Sequence, residues 1–407
     1  MANMAAKQAI RQRAIRKTLR LPSVTAIPAN LSGTPISINV SNVGLVRGFW
    51  IKTLATVVNA DGANTATLGP WGAQNIYSVI QFVDFSQNFR IQTLSQHIHA
   101  LESYRRRAPL GAAYPIDQPQ AGGIGQNWNP IGMSGGTTST TIGPGGSGHL
   151  TSYIYVPLMY SDSPYDPDFR GGMFASLTNV TATLNLTPNP IVSVPAGTDN
   201  WNSLFGGVAT ANCTITTMTV SIWQDVYDQL PDYRFLPNGV TVAMWQAASG
   251  GDRTGLMLPN QDLGFEYELK YAQYGSSIVA NQPNNIPFVN QRKFYSTMWM
   301  YQQGGVRTLG TDITKIRLVA ANTYEWWDRD PMTIAVLNRQ LLHDDLPAGY
   351  YWFDFRSAPI LTNVSGNLNL ELTPNAAVNP LLMMFTEDIA PISSVAGGSA
   401  LASGTGI

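Results

Sequence analysis

Residues 213–239 read CTITTMTVSIWQDVYDQLPDYRFLPNG, and this stretch divides the chain. Ile215, Met218, Val220, Ile222 and Trp223 stand among threonines in rough alternation, the pattern of a strand with one buried face. The pattern stops at Leu230-Pro231, a second proline follows at Pro237, and then comes the turn pair Asn238-Gly239. Proline lacks the amide donor that a sheet ladder needs, and it pushes the preceding residue toward extended geometry. One central strand therefore cannot run through. The stretch reads as the last strand of one β-domain, a stiff linker over residues 231–239, and the entry to a second domain. Each flank is long enough for a whole sandwich.

Upstream, strand patterns fall over residues 34–58, broken near Ser41-Asn42, and over 76–85, 149–161 and 178–187. Downstream they fall over 240–247, 265–274, 294–303, 313–321, 350–355, 368–372 and 381–385. Helical character is confined to Met332–Leu342, behind a proline suited to a first helical turn, and to the N-terminus. Many short strands with Gly and Pro between them predict an all-β chain of two tandem sandwiches, at 31–230 and 240–390. Residues 111–148 carry Gly, Pro, Ser and Thr without a strand pattern and predict a long exposed excursion. No Gly-Lys-Ser/Thr follows its glycines, so a phosphate cradle is not supported. The Gly-, Ala- and Ser-rich end, 391–407, predicts a flexible tail.

Only 12% of the 407 residues are charged, against about 25% in ordinary globular chains. A surface so poor in charge favours burial against other chains. The net charge of -1 is unevenly placed: Lys7, Arg11, Arg13, Arg16, Lys17 and Arg20 fall within the first 20 residues, which hold no acid. These residues include good helix formers and neither Gly nor Pro, and so predict a basic helical arm over residues 1–30, closed by Pro22 and Pro28. An isolated helix of that length is marginal in water. Two fates are open to it: a solvated terminus, or an arm ordered on an anionic surface. No apolar core follows the basic residues, so a secretory signal is not expected, and no apolar run is long enough for a spanning helix.

Catalytic patterns are missing. The sequence has no G-x-S-x-G, H-E-x-x-H, P-loop or CxxC, and its single Cys213 reads as a small buried hydrophobe. His97 and His99, read as part of a strand, would share a face, but no third ligand stands nearby. The aspartate pairs 166/168, 328/330 and 344/345 sit in turn-like or helix-edge settings. No enzyme activity, cofactor or metal is expected. Aromatic and basic residues do not interleave, so sequence-specific nucleic-acid binding is not expected either.

Several stretches carry a family likeness. NVGLVRGFWIK (42–52), SQHIHALE (95–102), GHLTSYIYVPLMYS (148–161) and the 213–231 boundary resemble, in order, segments of the major capsid proteins of tectivirus-like bacteriophages. GTDI (310–313), LPAGYYWFDFRSAPI (346–360) and LLMMFTED (381–388) continue the likeness through the second half. The resemblance implies a double jelly roll of two eight-stranded sandwiches. It implies homotrimers of pseudo-six-fold shape that tile an icosahedral virion shell around an internal membrane and double-stranded DNA. Partners would be neighbouring capsomers, inner-membrane lipids, and penton and minor capsid proteins. The basic arm would face the membrane or a neighbouring capsomer. The alternatives are a carbohydrate-binding or carbohydrate-cleaving pair of sandwiches, with Trp71, Trp128 or Trp201 as stacking platforms, and a minor receptor-binding virion protein.

Overall fold

The computed structural model describes residues 14–24, 34–69, 72–84, 87–105, 131–133, 138–139, 141–163, 166–167, 172–174, 181–199, 201–228, 265–275, 278–288, 293–320, 324–342, 346–362, 368–376 and 379–391. The linker at 231–239, the strand expected at 240–247 and nearly all of the tail lie outside them.

The first half contributes β1 (Ile15–Arg20), β2 (Ile36–Asn39), β3 (Leu45–Asn59), β4 (Tyr77–Val83), β5 (Phe89–Thr93), α1 (Ser95–Arg105), β6 (Ser147–Pro157), β7 (Thr183–Pro188) and β8 (Cys213–Asp228). The second contributes β9 (Phe265–Tyr274), β10 (Asn284–Pro287), β11 (Lys293–Gln302), β12 (Ile313–Ala320), β13 (Tyr324–Arg329), α2 (Pro331–Leu342), β14 (Tyr350–Asp354), β15 (Leu368–Pro374) and β16 (Leu381–Pro391). In the first half the layers run β1-β8-β3-β6 and β2-β7-β4-β5. In the second they run β9-β16-β11-β14 and β10-β15-β12-β13. Counted within each half, both give the order 1-8-3-6 facing 2-7-4-5. Each half is a jelly roll, with one helix between its fifth and sixth strands. Short additional strands at 131–133 and 138–139 extend the first layer beyond β6.

The two jelly rolls are joined through a sheet. β5 pairs in parallel with β9, Ile91 opposite Leu269 and Gln92 opposite Lys270, so the order β2-β7-β4-β5-β9-β16-β11-β14 is one continuous sheet. Three of its second-half strands, β11, β14 and β16, are buried on both faces. On β11, Trp299 and Tyr301 enter the core of the second sandwich, while Met298 and Met300 enter the core of the first half. Tyr351 and Phe353 on β14, with Leu382 and Met384 on β16, point one way; Tyr350, Trp352, Met383 and Phe385 point the other. This explains why FYSTMWMY is apolar without alternation. Each such side chain stabilises the fold by about 1.5–3 kcal/mol.

Three expectations are corrected. Residues 15–20 are not helical: Ile15–Arg20 is the edge strand of the first sandwich, antiparallel to β8 from Ile15 opposite Asp228 to Arg20 opposite Trp223. The bonding continues through Leu21 and Val24 to Ile222 and Val220. The open edge of a 16-residue strand offers a row of backbone partners, which outweighs a marginal local helix preference. The first sandwich therefore begins before residue 31. Next, SQHIHALESYR is an α-helix, so His97 and His99 lie about 200° apart around its axis and share no face. Finally, the 111–148 region does contain strand, at 131–133, 138–139, 141–142 and the first residues of β6.

Candidate functional site

The basic residues of the arm are partly accounted for. Lys7, Arg11 and Arg13 lie outside the described residues. Arg16 grips Asp225 with two bonds, Nε to Oδ1 at 3.0 Å and Nη2 to Oδ2 at 2.8 Å. That contact raises the Arg16 pKa above its ordinary value. Asp225 is buried and also accepts from the buried Arg47 Nη1 at 3.4 Å. Lys17 Nζ reaches Asp228 Oδ2 at 2.5 Å, and Arg20 Nη2 donates to Ser23 Oγ at 3.2 Å. Arg16 and Lys17 thus fasten β1 to β8. Sequence reasoning missed Asp225 and Asp228, which stand in the strand that decided the domain division; the tyrosine and valine between them hid a charged edge.

The turn into β3 is tight. Gly44 has φ +59°, and a Cβ there would stand 2.3 Å from the Tyr227 carbonyl oxygen. Only glycine allows the chain to turn against β8 at this point.

A second cluster joins the two jelly rolls. The loop after β11 carries Arg307, whose Nε and Nη2 donate to Asp199 Oδ2 and Oδ1, both at 2.7 Å, and whose backbone N–H adds a bond of 3.0 Å. Both side chains are nearly buried. The guanidinium lies 5.2 Å from the centre of the Tyr350 ring. Gly349, at φ +80°, keeps the backbone beneath it; a Cβ would meet Arg307 Cβ at 2.8 Å and the Tyr301 carbonyl oxygen at 2.7 Å. Burial pushes the Tyr350 phenol pKa well up, so it stays protonated and donates to Gln96 Oε1 at 2.5 Å. Gln96 Nε2 donates to Asn75 Oδ1 at 2.6 Å and also to the Trp201 carbonyl. Asn75 Nδ2 donates to the Trp201 and Ser203 carbonyls at 3.0 and 2.8 Å. A chain of strong polar contacts therefore runs from the second half, through α1, into the 189–212 loop. Each link satisfies a buried group that would otherwise cost free energy.

The helices end this cluster on either side. α1 is buried along its first two turns: Ile98 and Leu101 enter the core, and the His97 ring lies 5.4 Å from that of Phe385 on β16. His97 Nδ1 pairs with Thr93 Oγ1 at 3.0 Å. The signal for this helix was Ile98 and Leu101 at a spacing of three among Gln, Ala and Glu. α2 begins at Pro331 as expected and is capped by Asp330, which accepts from Thr333 N–H at 2.9 Å. The Thr333 hydroxyl, with that backbone cap, lowers the Asp330 pKa.

Little here resembles a reaction centre. Of the aspartates considered, Asp330 is a helix cap and Asp328 pairs with Lys315. Asp168, Asp344 and Asp345 lie outside the described residues. Among the described residues no three His, Cys, Asp or Glu side chains gather for a metal, and no helix is long and apolar enough to cross a membrane. Cys213 is buried at the start of β8, and burial pushes its thiol up to about 11. Trp71 and Trp128 lie outside the described residues. Trp201 is half-buried against the core, and its carbonyl is part of the junction.

The comparisons agree with this architecture. A family model described as P3 major capsid protein N-terminal matches residues 14–230, and one described as P3 major capsid protein C-terminal matches residues 265–398. The first match begins just before β1, and the gap between the two contains the linker. Major capsid protein P3 of Enterobacteria phage PRD1 is 26% identical over 376 residues, covering 92% of this chain and 87% of that protein. Among solved structures, the STIV MCP, from Sulfolobus turreted icosahedral virus, superposes with a TM-score of 0.60 at 11% identity, covering 93% of this chain and 97% of that one. The PBCV-1 virus capsid model gives a TM-score of 0.52 at 10% identity, covering 93% and 95%. With two jelly rolls of the same strand order and family matches across both, the chain belongs to the P3 major capsid protein family, whose members are structural, non-enzymatic proteins of the virion shell.

Proposed function

We propose that this chain assembles into homotrimers that tile an icosahedral shell over an internal membrane, with its basic N-terminal residues on the inner side. The supporting observation is where the two unusual segments join the first sandwich. β3 is 15 residues long, a rise of about 50 Å. The chain enters β1 at Ile15, opposite Asp228, beside the Leu45 end of β3. The Gly-rich excursion returns to the sheet at Ser147, opposite Val58, at the far end. The segment carrying Lys7, Arg11 and Arg13 and the excursion therefore attach at opposite ends of the sandwich. A shell subunit standing upright would turn one inward and the other outward. Arg16 and Lys17 are bonded to β8, so Lys7, Arg11 and Arg13 are the basic residues on which this reading of the arm rests. Penton and minor capsid proteins, by this reading, meet the flanks of the assembled capsomers.

Each basic residue near an anionic bilayer contributes about 1 kcal/mol, screened by salt. Flotation of the purified protein with phosphatidylglycerol vesicles and with phosphatidylcholine vesicles tests the arm. Binding is expected to the anionic vesicles alone, weakened by salt. A variant with Lys7→Gln, Arg11→Gln and Arg13→Gln should bind about a hundredfold more weakly. Equal binding by the triple variant would refute the membrane-facing arm. Light scattering checks the oligomer independently: the mass of three chains is expected, and a stable monomer would refute the capsomer.

A further inference from the structure

β1 closes the first sandwich with little packing of its own. None of its six side chains is buried, four are exposed, and only Leu19 leans on the core. The first buried residue is Leu21, whose N–H donates to the Ile222 carbonyl. β8, by contrast, runs beside β3 from Cys213 to Tyr227 and buries Ile215, Met218, Val220, Ile222 and Val226. What fastens Ile15–Arg20 is therefore the backbone ladder and two ion pairs, Arg16 with Asp225 and Lys17 with Asp228. The Arg16 side chain is 51% exposed and that of Lys17 40%, so water and salt weaken both pairs. A strand secured in this way opens at a much lower cost than the sheet it borders.

One group opposes such opening. Asp225 is 1% exposed, and a buried carboxylate deprived of its cation is strongly destabilising. β3 supplies a second cation. Arg47, also buried, places Nη1 3.4 Å from Asp225 Oδ2, the same oxygen that Arg16 Nη2 bonds at 2.8 Å. The register of β8 against β3 steps from Asp225 opposite Gly48 to Val226 opposite Val46, so Arg47 is the residue passed over. A bulge of this kind re-aims a side chain. Arg47 also belongs to a strand held on both sides, by β8 and by β6, and its carbonyl accepts from Leu158 N–H just after β6. Two arginines thus share one acceptor, and only one of them stands on an edge strand.

We infer that Ile15–Arg20 is a detachable strap, peeling from β8 as far as Leu21, with Arg47 keeping Asp225 neutralised while the strap is away. In the closed state the two guanidinium groups repel each other across the shared carboxylate. In the open state Arg47 has it alone. Arg47 therefore makes opening easier, although it stabilises β8. Six released residues lengthen the tether between the sandwich and everything before Ile15 by about 20 Å. A shell subunit with such a tether can adjust its reach to the surface beneath it. The strap goes beyond the proposed membrane contact and holds whatever the arm meets.

Hydrogen exchange of the purified full-length protein, read by mass spectrometry, tests the strap. After allowance for intrinsic rates, peptides from residues 15–20 are expected to exchange about a hundredfold faster than those from β3. Raising the salt to about 0.5 M should speed residues 15–20 further and leave β3 unmoved. Arg16→Gln should speed exchange of the same residues about fivefold. The decisive variant is Arg47→Met. With its competitor gone, Arg16 holds Asp225 alone, so β1 should exchange about threefold more slowly than in the wild-type chain. A merely structural Arg47 predicts the reverse, faster exchange across β1, β3 and β8. Wild-type β1 amides as protected as those of β3 would overturn the strap, and so would an Arg47→Met chain whose β1 exchanges as fast as wild type or faster. If Arg47→Met fails to fold, the wild-type comparison of β1 with β3 decides. A flotation result that refutes the membrane contact leaves this outcome unaffected.

Discussion

Arg307 shows how one side chain can hold two domains together. Its guanidinium is almost dry, bonded twice to Asp199 and stacked over Tyr350. Removing either charge strands the other in a medium that solvates it poorly, a loss of about 3–5 kcal/mol. Asp199→Ala and Arg307→Ala should each lower the urea midpoint by that equivalent at unchanged slope. The double variant Asp199→Ala/Arg307→Ala should cost clearly less than the sum. Strictly additive losses would mean that the pair does not act as a unit. Neither residue was visible as special in the sequence. Asp199 sits in the turn before Trp201 and Arg307 108 positions later, and no periodicity links residues that far apart.

At the scale of elements, β1 bears the largest difference between expectation and structure. Its sequence, IRKTLR, satisfies a weak helix pattern and a weak strand pattern alike. The free edge of β8 decides between them, because pairing there satisfies backbone groups on both strands. The consequence is measurable. Deleting residues 2–13 should leave the thermal midpoint nearly unchanged, whereas deleting residues 2–20 should bare the edge of β8 and produce aggregation on expression. Equal solubility and equal midpoints for the two truncations would contradict a structural role for the strand. The strands of the second half were more legible. β9, β11 and β12 fall within one residue of their predicted limits, because each is a long apolar or alternating run bounded by turn residues. α1 was read wrongly for a related reason: its two histidines drew attention to a spacing of two, while Ile98 and Leu101 carried the helical spacing of three.

For the whole molecule, the shared sheet matters more than the linker. A proline-rich join suggested two tandem sandwiches with a stiff linker between them and left open how they meet. β5 and β9 continue one sheet, and one hydrophobic core takes Ile98 and Leu101 from the first half with Met298, Trp352 and Phe385 from the second. The halves should therefore melt together. Calorimetry is expected to give one transition, with near- and far-ultraviolet dichroism tracing the same curve. Two resolved transitions would show that each jelly roll keeps its own stability. Rigid coupling suits a tile: a shell subunit whose halves rocked independently would present no fixed outline to its neighbours.

The sequence by itself determined the all-β class, the helix at Pro331 and the strands β9, β11 and β12. All of these rest on local pattern, turn chemistry or short motifs, which a linear reading contains. Tertiary structure alone decided that Ile15–Arg20 is a strand, that Asp225, Asp228 and Asp199 are the partners of Arg16, Lys17 and Arg307, and that the two jelly rolls share a sheet. Those outcomes depend on which distant edges and charges are left unsatisfied once the layers have formed. Such vacancies exist only after folding has brought residues between 108 and 211 positions apart into contact.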